Sequence, residues 1–113
     1  MKELKKLLLE FREERDWLKF HSPKNLAMAL NVEASELLEI FQWMTEEESL
    51  NLDPLRKKRA EEEIGDIMIY LTFICDRLKL DPIESAKRKM AMNKEKYPVE
   101  LSKGNAIKYN ERP

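Results

Sequence analysis

The chain has 113 residues, enough for one domain with a single modest core. Apolar residues make up 42% of it and charged residues 38%, with only two glycines, which excludes a disordered chain and a turn-rich β-sandwich and favours helices. A net charge of −1 excludes nucleic-acid binding driven by charge alone, and the lone Cys75 excludes an intrachain disulfide.

The opening stretch, MKELKKLLLEFREER, is too short and too acidic for a signal peptide. No apolar run reaches the ~20 residues of a membrane span, so a cytoplasmic setting is expected. Leu4, Leu7, Leu8, Phe11 and Leu18 recur at helical spacing and predict a helix over residues 2–20. Ser22, Asp53 and Asp81 each stand directly before a proline. That pairing of an N-cap residue with proline at the first helical position predicts helices over 23–44, 54–79 and 82–97, the last stopped at Pro98. The expected fold is all-α, a four-helix domain over residues 1–101 followed by a polar tail, 102–113.

The second helix lines Leu26, Leu30, Ala34, Leu37, Leu38 and Phe41 on one face and carries Glu33 and Glu36 three residues apart. The third is apolar almost all round from Ile64 to Cys75, yet Glu63 and Asp66 interrupt it at the same spacing. A helix buried on most sides in so small a chain points to a subunit interface, hence an oligomer. If the two long helices pack antiparallel, the four carboxylates converge between them. Each buried ion costs several kcal/mol, against the ~5–15 kcal/mol that holds a whole domain folded. The carboxylates must therefore be protonated, paired with Lys or Arg, or bound to a cation. Neither helix offers a basic residue on the relevant face, so a cation is preferred. An all-oxygen donor set selects Mg²⁺, with Mn²⁺ as a substitute.

On the fourth helix Lys89, Asn93 and Tyr97 fall at i, i+4 and i+8, either as a solvated face or as a cation, an amide and a phenol for phosphate oxygens. Trp17, His21 and Trp43 read either as packing groups or as a stacking surface for a flat ligand.

Taken together, ERDWLKFHSPKNLAMALNVEASELLEIFQW, EEEIGDIMIYL and KMAMNKEKYPVELSKGNAIKY resemble the MazG-like all-α nucleoside triphosphate pyrophosphohydrolases, most closely their dCTP pyrophosphatase branch, from about residue 4 to residue 109. One departure is Ala34–Ser35, where the branch more often carries a glycine. The resemblance implies a tetramer built from dimers and cleavage of a nucleoside triphosphate between its α- and β-phosphates. It makes Glu33, Glu36, Glu63 and Asp66 the Mg²⁺ ligands. Glu36 and Glu33 become the catalytic pair, with Glu36 favoured as proton acceptor or bridging ligand. Lys89, Asn93 and Tyr97 become phosphate or sugar contacts, and Trp17, His21 and Trp43 the base pocket. The substrate implied is dCTP or a modified dCTP; no membrane and no stable nucleic-acid partner are expected. The alternatives are a non-catalytic helical interaction module, a nucleic-acid binder using the basic C-terminal part, and a hydrolase of broader specificity.

Overall fold

The computed structural model describes residues 1–104, the side chains of Leu101 and Ser102 apart. Its helices are α1 (Lys2–Glu14), α2 (Pro23–Phe41), α3 (Glu46–Ser49), α4 (Pro54–Leu78), α5 (Pro82–Lys96) and α6 (Val99–Ser102), with a 3₁₀ turn at Leu18–Phe20. No strand occurs among the described residues, and no helix there is long and apolar enough to cross a membrane. The chain divides into two units, Met1–Leu80 and Asp81–Pro113. Most of the expected polar tail, from residue 105 on, lies outside the described residues.

The three cap-and-proline steps start helices as expected. The Ser22 side chain accepts from the Asn25 N–H, Asp53 from Arg56, and Asp81 from Ile83 and Glu84. α1 is shorter than predicted. It ends at Glu14 because Asp16 turns into the left-handed region (φ 52°), and the Trp17 N–H then closes back onto the Arg12 carbonyl. A short helix that the periodicity did not announce, α3, is set by a capping box in which Thr45 and Glu48 satisfy each other's backbone N–H groups.

Within Met1–Leu80, α2 packs along α4 and α1 packs on α4. The two long helices run antiparallel: His21, just before α2, meets Phe73, while Ile40 near the end of α2 shares a cleft with Arg59. Among the described residues the buried apolar core is small: Leu26, Ala60, Phe73 and Cys75.

α1 faces inward differently from the prediction. Leu7 and Phe11 are exposed and Arg12 is buried, because its guanidinium donates to Asp76 of α4 at 2.9 Å. Several residues expected on inner faces, Leu38, Ile64, Met68 and Leu78, are likewise exposed in the single chain.

Candidate metal centre

The antiparallel packing brings α2 and α4 side by side at Glu33, Glu36 and Glu63. Each offers a carboxylate oxygen, and these oxygens lie within 4.8 Å of one another. The three side chains are half-buried rather than sealed, since Glu36 and Glu63 open onto a cleft of about 520 Å³ that Glu39, Ile40 and Arg59 also line. The carboxylates therefore line an open trough instead of the buried contact that the sequence predicts for them.

The local chemistry is strained all the same. Oε2 of Glu33 and Oε2 of Glu63 are shut off from solvent and accept no hydrogen bond. Glu33 holds its proton to about pH 8, chiefly because it can donate that proton to Glu63, then through desolvation and the proximity of Glu36 and Asp66. The carboxyl of Glu63 is also raised. The hydrogen bond from Glu33 favours its charged form, but desolvation and the neighbouring Glu36 and Asp66 outweigh it. Two orphaned acceptors inside a carboxylate trio are what a hard divalent cation satisfies. The residues present fit such an ion, with Glu33, Glu36 and Glu63 as its ligands. Asp66, one turn beyond Glu63, lies outside the trio but close enough to raise both pKa values.

Sequence reasoning placed no basic residue on this face, and there the structure differs. Arg59, one helical turn before Glu63, lines the trough beside Glu36 and Glu63. It is in none of the ion pairs formed among the described residues, so the trio keeps its unneutralised charge. The i−4 spacing from Glu63 was the available signal, hidden in the run RKKR, which reads as a solvated stretch.

The aromatic candidates are divided. His21 is buried against Phe73 with ring centroids 4.5 Å apart. Its Nδ1 has no hydrogen-bond partner, and burial, then Arg12 and Arg77, push its pKa down. Trp17 packs edge-on against Phe11 and stays partly exposed. Trp43 is 89% exposed and lines a second cleft with Arg56 and Arg59. Phe73 and Arg59 lie fourteen residues apart on α4, about 21 Å along the axis. One chain therefore holds Trp17 and His21 at one end of the carboxylate site and Trp43 at the other. Lys89 and Asn93 are exposed on α5, with Tyr97 at its C-cap, in the other unit.

Comparison with known proteins agrees with this chemistry. The model of the MazG-like family matches residues 28–111. The dCTP pyrophosphatase 1 of Bos taurus is 40% identical over 115 aligned residues, spanning all of this chain and 68% of the relative. The dCTP pyrophosphatase 1 of Homo sapiens is 36% identical over the same span. A crystal structure of a pyrophosphatase from Archaeoglobus fulgidus superposes with a TM-score of 0.83 at 52% identity, covering 87% of this chain and 92% of that one.

Proposed function

The chain belongs to the MazG-like family, and from that premise we infer that it is a nucleoside triphosphate pyrophosphohydrolase acting on a pyrimidine deoxynucleotide, dCTP or a modified dCTP, at the Glu33–Glu36–Glu63 site. The observation that carries this reading is the carboxylate trio with its two orphaned oxygens, in a chain matched along its whole length by dCTP pyrophosphatases.

A bound divalent cation, Mg²⁺ by the all-oxygen donor set, supplies neutralisation of the triphosphate charge. Glu33, Glu36 and Glu63 would hold it, with Asp66 beside them. Glu36 opens onto the trough and takes the proton of the attacking water. As the new bond to the α-phosphorus forms, the bond to the α–β bridging oxygen breaks, and pyrophosphate leaves with that electron pair.

Within one chain the nucleoside is placed beyond the trough, on the side of the carboxylates where Trp17 and His21 stand. A pocket that also uses Trp43 takes it from a second copy, in keeping with the self-association, as a dimer or a tetramer built from two dimers, that belongs to this reading. The role of Lys89, Asn93 and Tyr97 as phosphate or sugar contacts is part of it too, tested by the KM of their single alanine variants.

The decisive experiment is turnover of a panel of dNTPs, NTPs and 5-modified dCTPs with Mg²⁺, with product analysis. Monophosphate plus pyrophosphate, with dCTP or a modified dCTP preferred, is the expected result. Glu36→Ala should lower kcat by about 10²–10⁴, the contribution of a positioned base. Unchanged turnover in Glu36→Ala or Asp66→Asn would remove the site. Even turnover across the panel would mean a hydrolase of broader specificity.

A further inference from the structure

Two clefts in Met1–Leu80 share a wall. The larger holds Glu36 and Glu63, the smaller, about 270 Å³, holds Trp43 and Arg56, and Arg59 lines both. Arg59 lies one turn before Glu63 on α4, about 6 Å along the axis, and Arg56 about 4.5 Å further. Arg56 is restrained by its own N-cap residue, donating to Asp53 Oδ2 at 2.9 Å. Arg59 is exposed and, although several glutamates line the trough with it, is in none of the ion pairs among the described residues. A guanidinium left uncommitted among carboxylates keeps its fork of donors for another anion, and phosphate matches that fork. At the far end of α4 the situation is reversed. There Arg12 is buried and committed to Asp76, and the exposed Arg77 stands fourteen residues beyond Glu63, about 21 Å away along the helix.

We propose that Arg59, seconded by Arg56, binds the β- and γ-phosphates of the substrate, and hence the pyrophosphate product. This rests on the pyrophosphohydrolase reading and adds a polarity to it. The α-phosphate lies at the carboxylate trio, the nucleoside points toward Trp17 and His21, and the terminal phosphates point toward the start of α4. The charge released onto the α–β bridging oxygen at cleavage then develops on the side of the trough that carries the cations. The arrangement also gives pyrophosphate a subsite of its own, so it competes with the substrate after the nucleoside monophosphate has gone.

The test is calorimetric titration of pyrophosphate and, separately, of dCMP in the presence of Mg²⁺, on the wild type, Arg59→Gln, Arg59→Ala and Lys58→Ala. Lys58 is an equally exposed cation one position away on the helix surface and controls for net charge. In both Arg59 variants pyrophosphate affinity should fall about tenfold and the KM for the triphosphate should rise by a similar factor, the loss of one charge-assisted contact. Their dCMP affinity should stay within about twofold of the wild type, as should every value for Lys58→Ala. Pyrophosphate binding unchanged in the Arg59 variants, equal weakening of dCMP, or an equal loss in Lys58→Ala would overturn the assignment while leaving the activity standing. A wild-type protein that neither turns over a nucleotide nor binds pyrophosphate would overturn both.

Discussion

At neutral pH Glu33 keeps a proton that an exposed glutamate has lost, because Glu63, Glu36 and Asp66 crowd it. Its folded-state pKa of about 8 stands above the ordinary 4.5, so between those values the folded chain binds the extra proton and the unfolded chain does not. Stability from this group is present below the lower value and is lost as pH rises through the upper one. Metal-free protein in a chelator should therefore show a falling Tm from about pH 5 to pH 8.5, and Glu33→Gln, which cannot titrate, should flatten most of that slope. Saturating Mg²⁺ should raise the wild-type Tm at pH 8.5, where the trio is most charged, because the ion binds only the folded state. It should do so far less in Glu33→Gln. The meeting of Glu33, Glu36 and Glu63 was legible in the sequence, because each i,i+3 pair interrupts the apolar stripe by which its helix packs, so packing the two helices brings the pairs to one contact. Arg59 was not, since a cation in a run of cations carries no periodic signal of its own.

The helices themselves divide along the same line between local and distant causes. Ser22, Asp53 and Asp81 act on N–H groups two or three residues away, so each helix start could be read from a few letters. The capping box of Thr45 and Glu48 is just as local, and its pattern was there to be read. The end of α1 was hidden because Leu18 continues the apolar period past the left-handed Asp16. Its inward face was hidden because Arg12 goes inside only on account of Asp76, sixty-four residues away. That pair holds α1 to α4: the Arg12 side chain is 6% exposed and that of Asp76 20%. Asp76→Asn keeps the shape and removes the charge, leaving the buried guanidinium with only the largely exposed Glu13 carboxylate, 3.2 Å away, as its counterion. It should cost about 3 kcal/mol, the low end for breaking a buried pair because Asp76 touches solvent, read as a lowered denaturation midpoint at unchanged m-value.

For the molecule as a whole, the apolar core buried among the described residues is too slight for the apolar surface they expose. Ile64, Met68 and Leu78 line up along α4 at helical spacing and are 55%, 38% and 49% exposed. Covering the exposed half of such a side chain is worth about 1 kcal/mol, and a two-fold contact uses every residue twice. The aromatic groups make the same demand from the side of function. Trp17 and His21 sit at the Phe73 end of α4 and Trp43 at the Arg59 end. The distance was implicit in the sequence, since the whole of α2 separates His21 from Trp43; it was the family resemblance, not their spacing, that put the three in one base pocket. If the base is held by Trp17 of one copy and Trp43 of another, Trp17→Ala and Trp43→Ala each damage every site when expressed alone. Expressed together they assort, and half of the two-fold pairs are mixed. Each mixed pair has one site with both lesions and one with neither, so the co-expressed preparation should regain about a quarter of wild-type turnover. Sedimentation equilibrium should show both single variants still associated, and Leu78→Glu should shift the wild type toward monomer. A co-expressed preparation no more active than the mean of the two single variants would place the whole base pocket within one chain, and Trp43 outside it.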